Sequence, residues 1–507
     1  NPPGAVFVGG DIISDAAGNG DAIAELTTRL AAALPVAPLV AADAERGAGA
    51  AVQGLAEFPH QLALGATDDE DLAYAYGAAT ALEARRVGID WAFAPVADLL
   101  GNWLNPAVMH RALGADPERV GRLAGAIARG MQAHGMVACA KHFPGDGFDF
   151  RDQHLATSVN PLDESAWRKR SGRAFDLACG GDGAWTIMAG HIALPWRDPL
   201  HPGARRPRPA TVSPPVLTTL LRDDLGFTGM VVSDAMIMAG IGGWGPPEQV
   251  EVEALAAGVD MLLWCEAAWV ERAERALAEG RLTQARIDHA VRNVLAVKAR
   301  RALPAAATPA PAADLRAWAA ATGERVAREG IVRVRDDDRL LPWNPATVRK
   351  VLVLFSAGRT DHQAARIAPL VAALESRGCA VDLMCNPNCM DIPKREDAGE
   401  RWDAFLAVFA LDMHELKNAA RPTGTMAEAL WSIQMPRTVK PVVASLGSPF
   451  LLHDLPAIGT LINVHSGVPA SQRALAAALF GEAPMTALSP VPLAADWVSR
   501  AIPGSLS

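Results

Sequence analysis

Nowhere in the chain do about eighteen apolar residues run together, so the sequence predicts no membrane-spanning helix. Basic charge is also short. The 47 Lys and Arg stand against 56 Asp and Glu, a formal charge of −9 over 507 residues. That balance argues against nucleic acid or an anionic membrane as a partner. The densest basic run, Arg205, Arg206 and Arg208, sits among prolines and reads as a solvated loop. Cysteine is sparse and scattered, with six residues. Cys139 and Cys265 lie in apolar runs, where a thiol acts as a small hydrophobe. Cys385 and Cys389 have no second Cys/His pair beside them at zinc-site spacing, so no metal centre is read from them. The pattern suits a reducing compartment. The chain starts at Asn1, without Met and without a charged-then-apolar leader. The expected location is cytoplasmic, or periplasmic or secreted if a leader is removed before residue 1.

Half the residues are hydrophobic and a fifth are charged, the balance of a globular chain, and the length allows two or three domains. Over the first 300 residues one pattern repeats: a short apolar run ends in a polar residue, and a longer segment rich in Ala, Leu, Arg and Glu follows. Residues 5–10 end at Asp11, 38–42 at Asp43, 91–97 at Asp98 and 137–140 at Lys141 and His142. Residues 187–190 end at His191, 230–233 at Asp234 and 261–265 at Glu266. Segments such as 69–86, 117–134 and 248–257 carry helical spacing of apolar residues. Asp116 before Pro117 reads as an N-cap with proline at the first helical position.

Seven strand–helix units with polar strand ends favour an α/β fold of the (β/α)8 TIM-barrel type over an open sheet, with the eighth unit poorly marked. A barrel gathers those polar ends on one face. An open sheet would leave most of them without a role. Residues 271–277 and 283–301 read as helices, 302–313 as an Ala/Pro-rich linker and 314–330 as a further helix. From residue 348 a second α/β domain begins. Its expected strands are 351–354, 380–384, 404–409, 442–445 and 460–463, in a small doubly wound sheet. It carries no nucleotide-binding glycine fingerprint. The predicted domains are a barrel over residues 1–302, a linker and connecting helix over 303–347, and an α/β domain over 348–507.

The stretch from Lys141 to His154 draws the chemistry together. Lys141 and His142 stand where a buried strand should end, and ligand hydrogen bonding is their natural role. Asp152 and His154 follow on a loop bounded by Gly147 and Pro161, where a carboxylate can orient an imidazole for general acid–base work. Asp234 directly follows a buried β run, which is costly unless it emerges into a polar site; capping the next helix is the alternative. Asp43, followed by Glu45 and Arg46, repeats that logic on the second strand. Arg111 sits in a turn-rich loop after the third. Trp103, Trp196, Trp244 and Trp264 lie in or near strand-end loops and are either sugar-stacking faces or core.

Taken together these residues resemble glycoside hydrolase family 3, in its β-N-acetylglucosaminidase branch. Lys141-His142-Phe143-Pro144-Gly145-x-Gly147, then four residues, then Asp152-x-His154, matches that branch's signature with its spacing intact. Residues 226–234 resemble the family's nucleophile strand, Asn105-Pro106 with residues 111–117 its third-strand loop, and residues 253–262 the strand after the nucleophile. The likeness runs over roughly residues 5–300 and more weakly through Leu340-Leu341-Pro342 into the second domain.

The resemblance implies a barrel followed by an α/β sandwich domain and release of a terminal β-linked N-acetylglucosamine with retention. It implies Asp234 as nucleophile, His154 as acid/base assisted by Asp152, and Asp43, Arg111, Lys141 and His142 on the sugar hydroxyls. No cofactor or metal is implied, the partner is a small saccharide, and closure of the 152–154 loop is expected to gate turnover. The sequence departs from the family at five places, one of them an imperfect match over residues 487–493 at the end of the second domain. Asp146 stands for the usual His between the two glycines, and Ala235 for a second Asp. Arg46-Gly47-Ala48-Gly49 replaces Gly-Gly-Arg, and Ala51 falls where a further substrate-binding Arg is expected, which makes Arg46 the candidate for that role. The competing readings are a phosphorylase on the same sugar, a β-glucosidase or β-xylosidase, and a catalytically silent sugar-binding relative. Oligomeric state is not readable from these features.

Overall fold

The computed structural model describes residues 4–8, 20–200, 206–302, 315–358, 361–412, 419–435 and 439–493. The predicted strand end at Asp11 and all but the first residue of the predicted linker at 302–313 lie outside the described residues. The chain divides into two compact units. The first comprises residues 1–57, 69–101 and 112–322; the second comprises 58–68, 102–111 and 323–507.

The first unit is built on seven strands, β1 Ala5–Phe7, β2 Leu39–Ala42, β3 Trp91–Ala92, β4 Val137–Phe143, β5 Thr186–Ala189, β6 Met230–Ala235 and β7 Met261–Leu263. They lie side by side in sequence order and every pairing is parallel. This is the α/β pattern of a TIM-type barrel, with helices between successive strands. Phe93, Cys139, Met188 and Val232 meet in an apolar cluster between the strands, because parallel strands covered on both faces must be apolar on both. The described strands differ most from the sequence reading at two places. β3 is only two residues long because Pro95 has no N–H to continue a regular ladder. Its continuation still pairs on both sides, Phe93 N–H donating to Ala42 at 2.9 Å and Cys139 N–H to Ala94 at 2.8 Å. β4 does not stop at Lys141 but runs buried through His142 and Phe143.

The helices follow their local chemistry. Glu70–Arg85 starts at Asp69, whose side chain accepts from Leu72 N–H. Pro117–Ala133 starts at the predicted cap, Asp116, whose side chain accepts from Arg119 N–H, with proline in the first turn. Such a cap contributes about 1 kcal/mol.

The second unit holds six strands, β8 Val332–Asp336, β9 Lys350–Ala357, β10 Ala380–Cys385, β11 Ala404–Ala410, β12 Pro441–Ser445 and β13 Thr460–Asn463. Their order is β8-β13-β12-β11-β9-β10. The last five form the doubly wound parallel arrangement expected from the sequence, and β8 adds an antiparallel edge that the sequence reading did not include. Val351, Val353 and Phe355 face one apolar cluster, whereas Leu352 and Leu354 face another. That alternation is the two-residue period of a strand buried on both faces. Two excursions from the first 111 residues pack with this unit, 58–68 and 102–111. Met109 enters the second of these clusters. Among the described residues no helix is long and apolar enough to cross a membrane.

Candidate active site

The C-terminal ends of β4, β5 and β6 carry a connected set of carboxylates and imidazoles. Lys141 ends the regular part of β4, and its side chain is 3% exposed. Its ammonium lies 3.0 Å from Asp43 Oδ1 and 2.7 Å from Glu45 Oε1, both just beyond β2. Two carboxylates therefore hold one buried cation at the end of the strand, with Asp43 left more than half exposed and able to reach a ligand. Arg46 forms an ion pair with Glu57.

His142 Nδ1 lies 2.6 Å from Asp98 Oδ2, and its backbone N–H donates to Asp98 Oδ1 at 3.0 Å. Asp98, fully buried after β3, also accepts from Asp146 N–H at 2.7 Å. A buried carboxylate with these contacts fixes the ring orientation of His142 and places its Nε2 on the far side. Asp98 was visible in the sequence only as one more polar residue closing an apolar run. Its signal was its partner, 44 residues away, which spacing alone does not reveal.

The signature glycines have a steric reason. Gly147 has φ +97°, and a Cβ there would stand 2.0 Å from the Leu99 carbonyl oxygen. Gly145 has φ +112°, and a Cβ there would meet Ser171 Oγ at 2.7 Å. Both positions demand a backbone that glycine alone adopts without strain. Asp146 between them is buried and accepts from Gly147 N–H at 2.7 Å, so this departure from the family pattern is built into the turn.

Beyond the turn, His154 Nδ1 lies 2.6 Å from Asp152 Oδ1, and its N–H donates to the same oxygen at 2.9 Å. Asp152 is buried while the His154 side chain is about a third exposed, at 36%. With Nδ1 engaged, Nε2 is the ring nitrogen that His154 can offer to a ligand. The loop is tied down in this structure. Ala239 N–H donates to His154 O and Gly240 N–H to Gln153 O, each at 3.2 Å. Thr157 Oγ1 donates to Gly240 O at 2.7 Å, and His191 N–H donates to Gln153 Oε1 at 3.0 Å. These bonds fasten the His154 loop to the segment that follows β6 and to the end of β5.

Asp234 is the penultimate residue of β6, and its Oδ1 accepts from Ala235 N–H at 2.8 Å. Burial works to raise its carboxyl pKa. His142 and His191, then the Ala235 N–H and Lys141, outweigh burial and hold the group below the usual carboxylate range. It is therefore ionised at neutral pH inside a buried site. His191 is a residue the sequence reading left among strand ends. Its Nε2 faces Ala235 O at 3.0 Å and its Nδ1 faces Thr211 Oγ1 at 2.8 Å. A carbonyl only accepts, so Nε2 carries a proton. Burial pushes the pKa of His191 down, against the pull of Asp234 and the Ala235 carbonyl, and His154 and His142 push it further. His191 thus ties the backbone carbonyl beside Asp234 to the end of β5.

The structure brings His142, His191 and Lys141 within electrostatic reach of Asp234, and places His154 and His142 within reach of His191. Arg111 falls in the second unit, on the turn Met109–Arg111, where its guanidinium donates to Ala107 O at 2.9 Å. Of the four tryptophans, Trp264 at the end of β7 is half exposed and meets Phe7 edge-on at 5.5 Å. Trp244 donates to Glu253 at 2.7 Å, Trp196 packs on Trp167, and Trp103 is buried in the second unit.

Similarity to known proteins extends over most of the chain. Residues 3–297 match the model of the glycosyl hydrolase family 3 N terminal domain. A β-N-acetylglucosaminidase/β-glucosidase of Cellulomonas fimi is 34% identical over 503 residues, covering 93% of this chain and 86% of that protein. Among solved structures, a β-glucoside phosphorylase, BglX, superposes with a TM-score of 0.83 at 27% identity, covering 97% of this chain and 89% of its own. A family 3 β-N-acetylglucosaminidase from Paenibacillus sp. str. FPU-7 does so with a TM-score of 0.81 at 27% identity, covering 94% and 91%.

Proposed function

We propose, on the premise that this chain belongs to glycosyl hydrolase family 3, that it is a retaining exo-β-N-acetylglucosaminidase releasing terminal β-linked N-acetylglucosamine from cell-wall or chitin-derived saccharides. The observation that carries the proposal is the Asp152–His154 pair, 2.6 Å apart, on a loop bonded to the segment beyond Asp234. Asp234 is the proposed nucleophile. It attacks the anomeric carbon while His154, protonated at Nε2, gives that proton to the departing oxygen. The bond between sugar and aglycone breaks as the bond to the Asp234 oxygen forms. In the second half, neutral His154 takes a proton from water, whose oxygen displaces Asp234 from the same carbon and restores the configuration. Asp152 stabilises the imidazolium in both halves. Lys141 and His142, with Asp43, Arg111 and Arg46, are the proposed contacts to the sugar. Residues 1–302 form the proposed catalytic domain, 303–347 the link and 348–507 the C-terminal α/β domain.

A second reading, phosphorolysis, is favoured by one feature of the same dyad. A neutral imidazole in the base position does not repel phosphate as a carboxylate would, and a phosphorylase stands among the similar structures. Nitrophenyl β-N-acetylglucosaminide, β-glucoside and β-xyloside, offered with and without phosphate to the wild type and to Asp234→Ala, separate the readings. The N-acetylglucosaminide should be turned over fastest, with N-acetylglucosamine as product. A sugar 1-phosphate appearing on addition of phosphate would replace hydrolysis with phosphorolysis. A marked preference for glucoside would overturn the substrate assignment, and undiminished activity in Asp234→Ala would overturn the nucleophile.

A further inference from the structure

We propose that His60, His110 and Asp412, with His465 completing the set, form a binding site for a divalent transition-metal cation of the zinc type within the second unit. One ligand atom from each of the first three lies within 4.8 Å of the others. His110 Nε2 stands 3.6 Å from Asp412 Oδ2, beyond hydrogen-bond range but close to the separation of two donors on a shared ion. With zinc–nitrogen bonds of about 2.0–2.1 Å, tetrahedral donors lie about 3.3 Å apart. The rings of His60 and His110 meet edge-on with centroids 4.0 Å apart.

The surroundings suit a metal better than a proton. His60 Nδ1 is 3.0 Å from Ser466 Oγ. Such an outer hydrogen bond orients a ligating ring. His465, next to that serine, is fully buried, and neither ring nitrogen has a hydrogen-bond partner. A buried polar group without a partner is costly, and coordination would satisfy it. Imidazole with a single carboxylate is a donor set for zinc and its first-row neighbours rather than for magnesium or calcium.

The position gives the site a role. Asp412 follows β11, and His465 follows β13, so both stand past the C-terminal ends of parallel strands, the edge where such sheets hold ligands. His60 and His110 come from the two excursions that pack with this unit, His60 just before the helix Gln61–Thr67 and His110 within the turn Met109–Arg111. A cation there would clip both excursions to the sheet.

The test uses the full chain, stripped with a chelator and then titrated with zinc by calorimetry and with cobalt(II) by visible absorption. The wild type should bind one zinc per chain, show the intense bands of four-coordinate cobalt, and melt at a higher temperature with zinc than without. His60→Asn and Asp412→Asn should each weaken binding at least about tenfold, while Cys385→Ser with Cys389→Ser leaves it unchanged. Absence of zinc uptake by the wild type would overturn the proposal. So would undiminished affinity in folded His60→Asn and Asp412→Asn, or loss of binding in the cysteine variant. The wild-type stoichiometry and cobalt spectrum decide the matter even if a variant does not fold.

Discussion

The two ends of the barrel strands put their aspartates to different uses. Before β3 and β7, Asp90 and Asp260 are held by guanidiniums. Arg222 and Arg286 each reach Asp260 at 2.8 Å, and Asn293 and Val231 N–H complete its shell at 2.9 Å. Arg301 pairs with Asp90, which also accepts from Val40 N–H at 2.7 Å. Past the end of β3 and at the end of β6, Asp98 and Asp234 face imidazoles and backbone amides instead. Arginine stays charged at every working pH and saturates its carboxylate, so that end is a clamp. Histidine changes charge near neutrality and keeps one ring nitrogen for something else. The titration directions agree. Burial leads at Asp90 and raises its pKa despite its arginines, whereas His142 and His191 outweigh burial at Asp234.

The sharpest way to break this comparison is to make one change at each end. Asp234→Asn should lower kcat at least about 10⁴-fold, as loss of a nucleophile does, with little change in melting temperature. Asp260→Asn should leave two buried guanidiniums poorly paired, at a cost of about 3–5 kcal/mol, while the folded fraction keeps its kcat. Melting curves beside initial rates on both variants decide it, and an exchange of the two phenotypes would dissolve the distinction. A smaller effect is expected at Asp98. Asp98→Asn should lose about 1–3 kcal/mol of transition-state stabilisation, roughly 5–150-fold in kcat/KM, because the ring of His142 loses its anchor.

The smallest effect is a shift in pH dependence. Asp234 titrates below its ordinary value, so its ionised form, and the stability that form confers, persist above the unfolded value and are lost as pH falls through the depressed one. Removing the side chain that contributes most to that depression, in His142→Asn, should move the acid limb of kcat/KM upward. A limb that stays in place would show that His142 does not set the charge of Asp234.

Much of this was legible in the chain because parallel strands buried on both faces announce themselves as apolar runs, and the polar residue closing each run marks the end that faces the site. Asp234, Lys141 and His142 were found that way, and Asp152 with His154 by their spacing from the glycines. What stayed hidden depends on partners distant in sequence. Glu45 was seen as a neighbour of Asp43, not as the closer of the two carboxylates on Lys141. His191 resembled any strand-end residue until Thr211 and Ala235 closed around it. β8 was missed because its alternation of Val and Arg is that of a half-exposed edge, and the apolar-run criterion does not detect such strands. The packing of 58–68 and 102–111 with the second unit leaves no local mark at all, and it carries Arg111 with it.

The account turns on His154 as the group that moves the proton. The direct test is kcat/KM for a series of aryl β-N-acetylglucosaminides of rising leaving-group pKa, measured for the wild type and for His154→Ala. The dyad predicts a loss of about 10²–10⁴-fold for poor leaving groups, which need protonation, and little loss for activated ones that depart unaided, so the variant's plot against leaving-group pKa is the steeper. Parallel plots, with every leaving group slowed alike, would contradict it.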